Sequence, residues 1–141
     1  MEDYLYQKIS KLEKNHWWFC ARRAIIKDTI IKYSKINNRI LEVGSGTGGN
    51  LEMLSVFGKV KSFENNLRAL EVSKKVNNKN IEKIYGSCPD EIPFKYEKFD
   101  LICMLDVLEH IKDDKTTLEK LSQKLSKDGL LIITVPAYQW L

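Results

Sequence analysis

The chain has 141 residues, 43% of them hydrophobic and 30% charged, with a formal net charge of +4. That length holds one domain with a core of its own and excludes a two-domain enzyme. No apolar run approaches the roughly 20 residues a membrane-crossing helix needs, and the first residues lack the basic-then-apolar pattern of a secretory signal. Cys20, Cys88 and Cys103 are odd in number and far apart, so neither a disulfide framework nor a metal site is expected. Reduced thiols in a cytoplasmic protein are the expectation. The charge is uneven: residues 1–39 hold nine Lys/Arg and four Asp/Glu, whereas the remainder is close to neutral. A basic segment of this kind is either a solvated helix face or a contact for an acidic partner. No zinc-finger or RNA-binding pattern supports a nucleic-acid partner.

Leu5, Ile9 and Leu12 recur at helical spacing and predict a short amphipathic helix over 3–14. His16-Trp17-Trp18-Phe19 follows, either as a water-excluding lid or as helix-packing bulk. A second helix is expected over 21–33, ended by Asn37-Asn38. Strand one is placed at 39–43 and a helix at 49–57, capped by Gly58. Strand two is placed at 60–64, a helix at 67–76, a loop at 77–80 and strand three at 81–85. Residues 86–98 read as loop and 99–105 as strand four. Asp113 or Asp114 caps a helix running to Leu125. Gly129 turns the chain into strand five at 130–135, which Pro136 stops.

Strands alternating with helices imply an α/β fold with a parallel sheet covered on both faces. Residues 1–38 form an N-terminal helical segment and 39–141 the core. A ligand belongs beyond the carboxyl ends of the strands, where strands one and four part. Strand five is expected to be an open sheet edge rich in Ile and Leu, and an exposed edge favours self-association into a homodimer.

The most informative stretch is 41–50, Leu-Glu-Val-Gly-Ser-Gly-Thr-Gly-Gly-Asn. A buried strand breaks into glycines, which lets a ligand lie against bare backbone at a helix start. Gly44, Gly46 and Gly49 fit the dinucleotide fingerprint G-x-G-x-x-G. Glu42 argues against that reading, because a carboxylate there repels a pyrophosphate and attracts a ligand carrying an ammonium and a sulfonium. The helices ahead of strand one and the lack of a substrate domain also argue against a nicotinamide enzyme.

Glu42 to Gly48, as E-x-G-x-G-x-G, resembles motif I of the class I S-adenosylmethionine-dependent methyltransferases, in particular their type 11/12-like domains. Val60 to Glu64 is similar to their acid-ended second strand, and Phe99 to Ile102 with Asp106 to His110 to their fourth strand and its sequel. Residues 125–135 are similar to the turn into the fifth. The resemblance covers 16–141 and implies a Rossmann-like sheet of order 3-2-1-4-5, lacking the usual last two strands. It implies S-adenosylmethionine as cofactor, with Gly44, Ser45, Gly46 and Gly48 against its methionine part. Glu42 then holds the amino group, the alternative being a carboxylate that stabilises the turn. The resemblance also assigns Glu64 to the ribose hydroxyls and Asn65 to the flank of the adenine. Ser87 and Cys88 stand where relatives have Asp-Ala after a glycine, so a backbone amide, the Ser87 hydroxyl or Asp90 takes over the adenine contact. Leu105 lines the cleft. Asp106 and His110 are the candidates for a catalytic role, His110 being alternatively a structural residue at the next helix start. The implied activity is methyl transfer to a small-molecule acceptor. A non-catalytic domain acting through a partner chain is the other reading.

Overall fold

The structure, a computed structural model, describes residues 3–35 and 38–137. Helices α1 (Asp3–Asn15) and α2 (Trp17–Tyr33) precede the core. There follow β1 (Asn38–Val43), α3 (Leu51–Ser55), β2 (Gly58–Glu64), α4 (Leu67–Ser73) and β3 (Ile81–Tyr85). The chain closes with β4 (Phe99–Leu105), a 3-10 turn (Leu108–His110), α5 (Asp114–Ser122) and β5 (Leu125–Thr134). The five strands are parallel and ordered β3-β2-β1-β4-β5, as the resemblance implies. β5 is the sheet edge among the described residues.

Alternation along the strands sends side chains to two cores. Ile40, Leu101, Cys103 and Leu105 face Ile26 and Ile30 of α2 and Leu51 and Leu54 of α3. Leu41, Val43, Phe63, Ile102 and Met104 form the opposite core with Leu121 of α5. Strands β1 and β4 are apolar on both faces for this reason, as buried parallel strands must be. Glu42 breaks the pattern: it faces the first core from the middle of the sheet and is 1% exposed.

Several boundaries differ from expectation. The α2 helix begins four residues early, with His16 as N-cap, so Trp17, Trp18 and Phe19 lie in its first turn. It ends at Tyr33 as expected, and Asn37 lies outside the described residues. Gly58 does not cap α3; it starts β2 opposite Asn38, where a Cβ would stand 1.9 Å from the Asn38 carbonyl oxygen. The α4 helix ends at Ser73, capped at its start by Asn66, whose side chain accepts from the amides of Arg68 and Ala69. The α5 helix ends at Ser122, with Asp113 as its cap. The turn placed at Gly129 is an irregularity inside β5, whose register to β4 shifts between Phe99 and Leu101. The left-handed residue there is Asp128, at φ 63°, while Gly129 is needed for close approach to Ser126.

Candidate functional site

All loops leaving the carboxyl ends of β1, β2, β3 and β4 meet at one edge of the sheet, because the strands are parallel. Two cavities open there. The larger, about 760 Å³, has Glu64, Asn65, Ser87, Cys88, Asp90 and His110 in its wall. The smaller, about 300 Å³, is walled by Glu13, Trp18, Arg22, Arg23, Ser45, Gly46, Asn50 and Leu105. Gly44, Asp106 and Val107 belong to both and form the waist between them.

The glycine loop supplies bare backbone at this waist. Gly44 (φ 69°) lies under Val107, whose methyl would be 2.7 Å from a Cβ. Gly46 (φ 54°) has nothing within 4 Å of where its Cβ would be, so its face is open to the smaller cavity. Gly48 lines neither cavity; a Cβ there would press on Leu51, Ser73 and Val76.

Glu64, 8% exposed, is fixed by two backbone amides. Gly46 N–H donates to Oε2 at 2.7 Å and Asn66 N–H to Oε1 at 2.9 Å. An ionised carboxylate has about four acceptor positions, so each oxygen can still accept a hydroxyl. Asn65, Ser87 and Cys88 line the same cavity. Burial pushes the Cys88 thiol up to about 11, which leaves it protonated and unreactive at neutral pH. Asp90 reaches the same wall, but its carboxylate is largely exposed and 3.7 Å from Lys120 Nζ.

Glu42 lies beneath the smaller cavity and lines neither. Its Oε1 accepts from Asn50 Nδ2 at 3.3 Å, and Asn50 is in the cavity wall. Its Oε2 is buried with no partner, as is Ser45 Oγ. Burial pushes the Glu42 carboxyl up to about 8; the Asn50 bond opposes this, and the charges of Glu13 and Glu64 add to it. A cation above Asn50 and Ser45 would oppose the shift.

Asp106 and His110 both line the larger cavity, and Asp106 alone of the two also lines the smaller. Asp106 sits at the waist in a left-handed backbone (φ 55°), a strained conformation for a residue with a side chain. It forms an ion pair with Arg22, and Thr134 Oγ1 donates to its Oδ1 at 3.0 Å. His110 has a side chain 78% exposed, at the larger cavity, with Nε2 3.9 Å from Glu109.

The N-terminal helices contribute side chains that the sequence reading leaves without a role. Arg22 stacks on Trp18 at 4.5 Å and Arg23 donates to the Gly49 carbonyl. Glu13 accepts from the Thr47 hydroxyl, and Tyr6 accepts from Asn66 Nδ2. A signal for Glu13 does exist: Tyr6, Ile9 and Glu13 recur at helical spacing, which puts a carboxylate on the inward face of α1.

A methyltransferase-domain family profile matches residues 15–141. A ubiquinone biosynthesis O-methyltransferase of Pelagibacter ubique is 30% identical over 133 residues, covering 87% of this chain and 55% of that protein. The fold superposes on a putative S-adenosyl-L-methionine-dependent methyltransferase of Methanococcus maripaludis with TM-score 0.79, at 16% identity, covering 95% and 64% of the two chains. It also superposes on S-adenosylmethionine-bound CalS10, an amino pentose methyltransferase from Micromonospora echinaspora, with TM-score 0.75 at 16% identity, covering 99% and 58%. The chain spans about half the length of the curated relatives it matches. On the profile, which takes in most of the sequence, this chain belongs to the methyltransferase-domain family.

Proposed function

We propose that this chain binds S-adenosylmethionine along the two joined cavities and catalyses methyl transfer to a small-molecule acceptor. When bound, that cofactor supplies a methyl group made electrophilic by a sulfonium. The observation that carries the reading is the open face of Gly46, flanked by a backbone-held carboxylate at Glu64 and a half-partnered buried one at Glu42. Glu64 would hold the ribose hydroxyls, and Asn65, Ser87 and Cys88 would flank the adenine. Ser45, and Asn50 with Glu42 beneath it, would hold the amino group. Arg22 and Arg23 offer positive charge to the carboxylate, and Leu105 closes the apolar side.

The chain's own contribution is mainly alignment and exclusion of water, since proximity and orientation supply most of what such a displacement needs. Trp18, Phe19 and Asp106 wall the end at which the acceptor would enter. Asp106 is the group there that can orient an acceptor proton, because Arg22 and Thr134 hold its carboxylate in place. Free Cys20, Cys88 and Cys103 fit a reducing cytoplasmic setting, and none of the described helices is long and apolar enough to cross a membrane.

Calorimetric titration with S-adenosylhomocysteine, with NADH as control, tests the reading. Binding of the first alone is expected, and Glu64→Ala is expected to weaken it by about 1–3 kcal/mol, the cost of stranded hydroxyl partners. No binding by the unsubstituted chain would overturn it and favour a domain that acts through a partner.

A further inference from the structure

The α1 helix buries none of its residues, so an apolar core does not explain why it lies where it does. Beside an exposed Asp3–Arg68 pair and bonds from α2 to the Lys14 carbonyl, two of its polar contacts run to the loops that form the site. Thr47, in the glycine loop and 4% exposed, donates its hydroxyl to Glu13. The Glu13 carboxylate also rests on Gly49, where a Cβ would come within 2.6 Å of Oε2. From the same inward face, Tyr6 accepts from Asn66 Nδ2 at 2.7 Å. The backbone amide of that asparagine holds Glu64 Oε1, so Tyr6 is one residue removed from the carboxylate at the centre of the larger cavity. The start of the glycine loop is tied to β2 by Gly44 and Ser45 N–H to the Phe63 carbonyl, and beyond it Gly46 N–H reaches Glu64 and Gly48 N–H the Ser45 carbonyl, while the Thr47 side chain is held by Glu13.

A carboxylate set against a loop and partly withdrawn from water is unfavourable unless it is paired. Burial raises the Glu13 pKa, and the Thr47 bond and the charges of Arg23 and Arg22 oppose that. A residue serving only solubility would sit on the outer face of α1, beside Lys8 and Lys11.

We infer that Glu13 and Tyr6 are positioning residues, which through Thr47 and Asn66 fix the glycine loop and the Glu64 carboxylate in the geometry that binds the cofactor. The inference rests on the cofactor reading given above. Neither residue needs to touch the ligand for this role.

The test is titration of the full chain and its variants with S-adenosylhomocysteine, with thermal melting alongside. Glu13→Ala and Thr47→Val are each expected to raise Kd about tenfold, and the double variant no further, because both remove one coupled contact. Glu13→Gln keeps an acceptor for the Thr47 hydroxyl and is expected to recover most of the affinity. Tyr6→Phe, the mildest change, is expected to raise Kd about threefold, in the range of one lost hydrogen bond. Multiplied losses in the double variant, or a lowered melting temperature with Kd unchanged, would overturn the inference. If Glu64→Ala loses binding and neither Glu13→Ala nor Tyr6→Phe does, the inference alone falls. If the unsubstituted chain does not bind, the site reading falls and takes the inference with it.

Discussion

The two cavities are built in opposite ways. The larger is made by the end of β1 and the loops that follow β2, β3 and β4, and its central carboxylate is held by amides from the neighbouring loop and from two residues along the chain. The smaller takes Glu13 from α1, Trp18, Arg22 and Arg23 from α2, Gly46 and Asn50 from the glycine loop, and Leu105 from β4. Beneath it lies a buried carboxyl with one oxygen unpartnered. The first is preorganised by the sheet and is inexpensive to keep. The second is gathered across the chain and carries a polar group whose desolvation the protein only partly offsets. Preorganised acceptors therefore mark one end, and an electrostatic demand for a cation marks the other.

Gly46 lies where the two designs meet, since its amide holds Glu64 and its open face belongs to the smaller cavity. Gly46→Val breaks both at once and should have the largest effect. A β-branched residue at φ 54° is a strained outlier, and its side chain fills the space above the loop. Loss of S-adenosylhomocysteine binding by at least roughly 100-fold is expected, from strain of about 1–3 kcal/mol combined with steric exclusion. Far-UV circular dichroism should keep its helical signal. Affinity within tenfold of the parent would show that the open face is not used.

Glu42→Gln probes the smaller cavity, whose wall residue Asn50 the Glu42 side chain contacts from beneath. The folded carboxyl titrates near 8, against an ordinary value of 4.5, so between these the unfolded chain binds fewer protons. Stability of the parent must then fall as pH rises from 4.5 to 8 and level off above. Gln lacks this loss. Melting curves of parent and variant should nearly coincide at pH 4.5 and diverge as pH rises, with the variant more stable by a few kcal/mol at pH 8. Cofactor binding should move the other way. A cationic group favours the ionised carboxyl, so parent affinity should rise with pH toward 8, while the variant binds more weakly with no such rise. Parallel melting curves across that range would show that Glu42 is not held protonated.

The larger cavity was the more legible in sequence, for the same reason that it is the more rigid. Glu64, Asn65, Ser87 and Cys88 follow strand ends directly, and a strand end is fixed by a local apolar run and its breaker. Alternating strands and helices gave the parallel sheet, and the resemblance to class I methyltransferases gave its order. The smaller cavity needed α1 and α2 folded back over the glycine loop, and no local pattern encodes that packing. Glu13 therefore drew no reading, and Arg22 and Arg23 read only as part of a basic segment, either a solvated face or a contact for an acidic partner. The aromatic run at 16–19 was visible, but its place as the first turn of α2 depends on His16 capping the helix. Glu42 stood out as an acid among apolar residues; its position under Asn50, out of both cavity walls, follows from strand alternation that sends it toward α3.

The comparison also ranks the two candidate acid–base residues. Asp106 is at the waist, within reach of both cavities and braced by Arg22 and Thr134. His110 belongs to the larger cavity alone, away from the end where Trp18 and Phe19 would meet an acceptor, and its ring is mostly in water. Its backbone closes the 3-10 turn by donating to the Val107 carbonyl, a bond that any residue but proline can make. His110→Ala should therefore have the smallest effect, with stability changed by less than about 0.5 kcal/mol, as for other exposed side chains. S-adenosylhomocysteine affinity should stay within about twofold, equivalent to roughly 0.4 kcal/mol. The sharper measurement is the pH dependence of turnover with any acceptor found to be methylated. A histidine acting as base gives an activity limb in the neutral range that vanishes in the variant. Persistence of the parent profile places proton handling at the waist, and its loss moves the chemistry toward the larger cavity and reverses the ranking.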